Sequence, residues 1–216
     1  MLAVIVTGGD PPDPAVLAHF TGASCVIAAD SGLSHARRLG LHVDVVVGDL
    51  DSVDPAELAA AEQSGTVVER HPAEKDATDL ELALDAACTR GAHRVTVVGG
   101  YGGRLDHFLA NALCLAAERF ARLTLDAWIG AAHVVVVRDR VRLSGAPGSP
   151  VTLLPLGGPA CGITTSGLRY PLDDEDLAPG TTRGVSNELL GPEASVALGG
   201  GVLLAIQPAA LPEEKG

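Results

Sequence analysis

Aromatic residues make up only 3% of this 216-residue chain, with a single Trp and a single Met. The core must therefore be assembled from Ala, Val and Leu, within a hydrophobic content of 47%. Basic residues are scarce too, since 15 Lys and Arg stand against 27 Asp and Glu for a formal charge of −12. That balance argues against nucleic acid or an anionic membrane as partner, because either would need a basic face to neutralise phosphates. It also repels any polyphosphate substrate at long range, so a metal ion and local cations must offset the repulsion where one binds. Cys25, Cys88, Cys114 and Cys161 form no C-x-x-C pair, which argues against zinc and for reduced thiols in a cytoplasmic protein. No apolar run approaches the ~18 residues of a membrane span. The first one, residues 2–6, lacks a basic leader and soon meets Gly8-Gly9-Asp10-Pro11, as a first strand would. Neither the G-x-x-x-x-G-K-[ST] loop nor the G-x-G-x-x-G fingerprint is present.

What the chain does contain is organised around Val43-Asp44-Val45-Val46-Val47-Gly48-Asp49-Leu50-Asp51-Ser52. A continuous Val run ending in a Gly turn reads as a parallel strand covered on both faces, and ligands gather at the carboxyl ends of such strands. In extended chain, Asp49 and Asp51 point to the same side with Cα atoms roughly 6–7 Å apart, so both can reach one cation. Hard oxygen ligands grouped this way suit Mg²⁺, which completes its shell with water and substrate phosphates. Helix capping does not need them, because Asp54-Pro55-Ala56-Glu57 already supplies an N-cap, a Pro at the first helical position and a Glu three residues on.

Along the first half, strands alternate with helices. Residues 25–30 form a second buried strand that ends on Asp30, which either caps the following helix or contacts substrate. In the segment His71 to Asp79, Thr78 and Glu81 can make a capping box, which frees Asp76 and Asp79 to face the strand ends. Asp79 is expected to join the metal or phosphate shell, and Lys75 holds a phosphate or pairs with Asp76. A strand at residues 94–98 empties into Gly99-Gly100-Tyr101-Gly102-Gly103-Arg104-Leu105-Asp106-His107. Its backbone can approach a phosphate closely, with amides and a guanidinium as donors. Asp106, His107 and Asn111 then lie on the opening turns of a helix expected to run to Arg122. This alternation predicts an α/β domain with a mostly parallel sheet over residues 1–122. From residue 123 short β-rich runs (134–137, 151–156, 164–170, 194–198 and 202–206) predict an antiparallel β-sandwich domain over 123–216.

Several of these segments, in this order, resemble the thiamine pyrophosphokinase family: Ala29-Asp30-Ser31-Gly32, Gly48-Asp49-Leu50-Asp51-Ser52, Lys75-Asp76-Ala77-Thr78-Asp79, and Gly102-Gly103-Arg104-Leu105-Asp106-His107 with Asn111. The second half adds Leu153-Leu154-Pro155-Leu156, residues Thr165 to Leu172, and Ser186-Asn187-Glu188. The resemblance implies transfer of a pyrophosphoryl group from ATP to the hydroxyl of thiamine, with release of AMP. By matching positions, Asp49, Asp51 and Asp79 would hold Mg²⁺, while Asp30, Asp76, Arg104 and Asp106 would contact nucleotide or substrate. Lys75, Gly102, Gly103, His107 and Asn111 would complete the ATP site. Ser186 and Asn187 would reach thiamine; no aromatic residue follows Ser186 as it often does in the family, and Tyr170 either takes that place against the ring or packs in the core or at a sheet edge. The family also implies a homodimer whose active sites form between subunits.

Phosphoryl transfer asks mainly for positioning and charge stabilisation, so Asp51, Asp76, Asp79, Arg104 and Asp106 are the residues expected to carry catalysis. Either Asp76 or Asp106 could orient or accept the hydroxyl proton. Two alternative activities share these features. One is a pyrophosphokinase for another heteroaromatic alcohol, such as a hydroxymethylpterin. The other is a haloacid-dehalogenase-like phosphatase with Asp49 as nucleophile.

Overall fold

The computed structural model describes residues 1–74 and 76–211. Lys75, expected to bind phosphate, lies outside the described residues, as does the end of the tail. The chain divides into two compact units, the first comprising Met1–Cys114 and Arg122–Gly130, the second Leu115–Ala121 and the chain from Ala131 onward.

In the first unit β1 (Leu2–Val6), β2 (Cys25–Ala29), β3 (Val45–Gly48), β4 (Val67–Arg70), β5 (Arg94–Val98) and β6 (Thr124–Ile129) lie in the spatial order β6-β5-β1-β2-β3-β4. Every neighbouring pair runs parallel. β1, β2 and β3 are buried almost throughout, which is the burial expected where helices cover both faces of a sheet. The helices of this unit are α1 (Gly32–Arg38), α2 (Pro55–Gln63), α3 (Asp79–Thr89) and α4 (Leu105–Cys114), of which α1 and α3 pack directly on the strands. α3 packs on β1, β2 and β3 through its buried Leu80, Leu84 and Ala87. Its cap is the one expected, with the Glu81 amide donating to Thr78 Oγ1 at 3.3 Å. Asp54 likewise accepts from the Ala56 amide at 2.7 Å to start α2.

Two boundaries differ from the sequence expectation. α4 stops at Cys114, because residues 115–121 turn away through a short 3₁₀ segment, Glu118–Phe120. Arg138, distant in sequence, donates to the carbonyls of Ala116 and Ala117 at 2.8 and 3.0 Å and so holds this segment in the second unit. β6 lies beyond the expected boundary at 122/123, yet it pairs parallel with β5 and completes the first sheet. The acid in its middle, Asp126, obscures it in the sequence. Here Asp126 is buried and accepts from Thr96 Oγ1 of β5 at 2.9 Å.

The second unit is the expected antiparallel sandwich. One sheet has the order β12-β9-β14-β7, from β7 (Ala132–Val137), β9 (Pro150–Pro155), β12 (Asn187–Glu188) and β14 (Leu203–Gln207). The other has the order β11-β10-β13-β8, from β8 (Arg140–Ser144), β10 (Ala160–Ser166), β11 (Glu175–Leu177) and β13 (Glu193–Ala197). Val151, Leu153 and Leu203 of the first sheet share one core with Leu143, Ile163 and Val196 of the second. Among the described residues no helix is long and apolar enough to cross a membrane.

Candidate active site

In the first unit the chain moves from β1 outward to β4, then returns to place β5 on the other side of β1. The connections after β1 and β5 therefore diverge, and a crevice opens at the carboxyl ends of the strands, the usual ligand position in such sheets. A cleft of about 240 Å³ lies there, lined by Gly8, Gly9, Asp30, Asp79, Arg104 and Asn111 among others. Of the residues singled out in the sequence, Asp30, Asp79, Gly102, Gly103, Arg104, His107 and Asn111 all line it.

Asp30 and Asp79 form its acidic side, and Asp30 joins a carboxylate cluster at the ends of β2 and β3. Asp30, Asp49 and Asp51 each offer a carboxylate oxygen within 4.8 Å of the others, a donor set for a hard cation. The expected trio was Asp49, Asp51 and Asp79; the acids that converge this closely are Asp30, Asp49 and Asp51. A Cβ on Gly48, whose φ is +150°, would come within 3.1 Å of Asp79 Oδ1 and 3.2 Å of the Asp30 Cβ. Glycine at 48 thus lets Asp30 and Asp79 close over the end of β3.

Asp30 itself sits at φ +48°, and its Oδ1 is buried with no partner among the described residues. Burial pushes the Asp30 carboxyl above its ordinary 3.8, the Ser31 amide opposes the shift, and the charges of Asp79, Asp49 and Asp51 add to it. The folded protein therefore holds this proton more firmly than the unfolded chain does. Stability falls as pH rises through the window above 3.8 and stays at the lower level beyond it. In the presence of a chelator, Asp30→Asn is expected to stabilise the protein at neutral pH and to flatten that slope, read by denaturant unfolding across pH. A less stable variant at neutral pH would overturn the assignment.

The opposite wall is glycine-rich. The loops after β1 and β5 are zipped together by Gly100 N–H to Gly8 O at 2.9 Å and Asp10 N–H to Tyr101 O at 2.7 Å. Gly8 and Gly9 escaped the sequence reading as site residues, although a Gly pair directly after a first strand was the available signal. Phe108 also lines the cleft and was missed, since nothing distinguishes a ligand-facing Phe from a core one. Arg104 grips Asp106 with both arms of its guanidinium, at 3.1 and 2.5 Å. That pair holds the Asp106 carboxyl down to about 2. Asp76 is exposed on the turn before α3 and does not line the cleft.

In the second unit Asn187 is buried, and its side chain is taken up within the protein. Its Oδ1 accepts from the amides of Tyr170 and Glu188 at 3.0 and 2.9 Å, and its Nδ2 donates to Tyr170 O at 2.7 Å. The residue expected to touch substrate instead fixes the backbone that carries Tyr170. Tyr170 is 60% exposed, with the Arg169 guanidinium 5.8 Å from its ring centroid. Ser186 is exposed at φ +61°, and its amide donates to Thr152 Oγ1 at 3.2 Å.

By architecture the first unit is a doubly wound α/β protein with an acidic, glycine-lined cleft at its switch point, the class that binds phosphorylated ligands there. Comparison narrows the class. The family description "thiamin pyrophosphokinase, catalytic domain" matches residues 17–125, and "thiamin pyrophosphokinase, vitamin B1 binding domain" matches residues 133–203. The chain belongs to the thiamin pyrophosphokinase family. It is 26% identical over 191 residues to a thiamine pyrophosphokinase of Bacillus subtilis, covering 84% of this chain and 86% of the relative. The crystal structure of thiamin pyrophosphokinase from Geobacillus thermodenitrificans superposes with a TM-score of 0.80 at 26% identity, covering 99% of both chains. That of the Bacillus subtilis enzyme gives a TM-score of 0.85 over 98% of this chain and all of the other, and at 24% identity it speaks to the fold.

Proposed function

We propose that this enzyme transfers the pyrophosphoryl group of ATP to the hydroxyl of thiamine, giving thiamine diphosphate and AMP. The observation that carries the proposal is the meeting of Asp30, Asp49 and Asp51 beside a glycine cradle, within a chain whose two halves match the catalytic and vitamin B1 binding descriptions. Neither the pterin pyrophosphokinase nor the phosphatase alternative is favoured by the relatives.

In this scheme the hydroxyl oxygen of thiamine attacks the β-phosphorus. The bond from that phosphorus to the α,β-bridging oxygen breaks, AMP leaves with the electron pair, and the hydroxyl proton is released. Asp30, Asp49 and Asp51, with Asp79 alongside, would hold Mg²⁺. The buried Oδ1 of Asp30, without a partner among the described residues, fits such an ion. When bound, the metal would neutralise phosphate oxygens and lower the barrier to nucleophilic attack. Amides of the zipped loops would hold the phosphates. Arg104 would steady charge on the departing side, oriented by Asp106. Asp106 is a weak base with its carboxyl held near 2, so its work is orientation of Arg104.

The α/β domain would thus bind nucleotide and metal, and the sandwich would bind thiamine through Ser186 and Tyr170. A homodimer accounts for a feature of α4. Leu105, Leu109 and Leu113, four residues apart on one face, are 69%, 52% and 57% exposed, while His107, Phe108 and Asn111 on the opposite face line the cleft. A leucine row of this kind calls for a second copy to cover it. Leu109→Asp is expected to halve the mass in sedimentation equilibrium; an unchanged mass would remove the row from the interface. The protein would work in the cytoplasm, where its four thiols stay reduced. Incubation with ATP and thiamine, thiamine omitted as control, tests the function directly. AMP and thiamine diphosphate in equal amounts are expected, whereas free phosphate without AMP would overturn it.

A further inference from the structure

Asn111 carries a feature that the reaction scheme leaves unused. Its Oδ1 is buried and has no hydrogen-bond partner among the described residues, and the residue lines the cleft. An amide oxygen can accept two hydrogen bonds, and burying one with none is costly enough that such atoms in folded proteins almost always have partners. Because the residue lines the cleft, a ligand bound there can bring the donor. Phe108 lies one helical step earlier on the same face of α4 and also lines the cleft, as does the apolar Leu80. A flat aromatic group beside a buried acceptor is suited to an aromatic ring that stacks and presents an N–H at its edge. Asn111 lies six residues along α4 from Leu105, about 9 Å at the helical rise, so it stands away from the glycine loop. That is near the separation between a nucleotide's phosphates and its base.

We infer that Asn111 Oδ1 is the acceptor for the exocyclic amine of an amino-substituted heteroaromatic ring carried by a substrate, with Phe108 against the face of that ring. The inference rests on the function proposed above. Both substrates of that reaction carry such a ring: the adenine of ATP and the aminopyrimidine of thiamine. A buried acceptor discriminates strongly against an analogue that lacks its donor, because the acceptor is then left unpaired.

The experiment compares each substrate with its oxo analogue, inosine triphosphate for ATP and the 4-oxo pyrimidine analogue for thiamine, by the rate of AMP formation. In the wild-type enzyme at least one amino substrate is expected to exceed its oxo analogue by about tenfold or more in kcat/KM. Asn111→Leu, which keeps the volume and removes the acceptor, is expected to collapse that ratio toward unity, through a much larger fall on the amino substrate than on the oxo one. Collapse of the ATP ratio assigns Asn111 to adenine, and collapse of the thiamine ratio assigns it to the acceptor ring. If neither wild-type ratio reaches tenfold, the inference fails whether or not the variant folds. A ratio unmoved by Asn111→Leu in a protein with normal thermal unfolding also overturns it. Should the wild type form no AMP from ATP and thiamine, the proposed function fails separately. Equilibrium binding of ATP against inosine triphosphate and of thiamine against its 4-oxo analogue then tests Asn111 by the same two criteria.

Discussion

Asp51→Asn is expected to lower the rate of AMP formation by at least about a hundredfold, a loss of the size seen when the support of a bound metal is removed. The reason is charge. The carboxylates of Asp30, Asp49 and Asp51 converge to within 4.8 Å, a spacing that mutual repulsion disfavours unless a cation lies among them. An amide keeps the shape and one oxygen donor but removes a unit of negative charge from the shell. Asp51 is exposed and accepts from Ser52 Oγ at 2.8 Å, so its replacement disturbs no packing. Thermal unfolding in a chelator should therefore be unchanged or slightly raised. Asp49→Asn should behave in the same way. Near-normal turnover of either variant at saturating Mg²⁺ would remove that residue from the metal shell.

The second large effect belongs to Gly9. At φ +101° a Cβ there would lie 2.3 Å from the Tyr101 carbonyl oxygen, which belongs to the opposing loop and accepts the Asp10 amide. Gly9→Ala is expected to cost about 3 kcal/mol, combining backbone strain of about 1–3 kcal/mol with overpacking of similar size. Forcing the two loops apart also displaces the amides that would hold phosphate, and a misplacement of about 1 Å can cost about a hundredfold in rate. Gly22→Ala provides the control, since Gly22 is also at positive φ, +81°, but has nothing within 4 Å of a built Cβ. It should lose only the strain component and keep full turnover. Equal losses of stability and turnover in the two variants, by urea unfolding and AMP formation, would refute the zipped-loop account.

Much of the fold is legible in the chain because its signals are local. The unbroken Val run of β3 could only be a strand covered on both faces, and Thr78 and Asp54 start their helices by hydrogen bonds to amides two or three residues on. β6 was illegible because its buried Asp126 is satisfied by Thr96, a partner thirty residues away. α4 reads as longer than it is because the group that takes over the carbonyls beyond its end is Arg138.

The site divides along the same line. From the sequence alone came the strand-end carboxylates, the glycine loop with Arg104 and Asp106, and the family to which the chain belongs, since each motif is contiguous and its residue types suit one chemistry. Only tertiary structure decided which acids meet, because β2 and β3 pair in parallel register and bring Asp30, more than Asp79, against Asp49 and Asp51. It also decided that Asn187 is held within the protein while Asn111 keeps an acceptor free. A side chain's partners depend on which distant backbone lies beside it, and no local pattern records that.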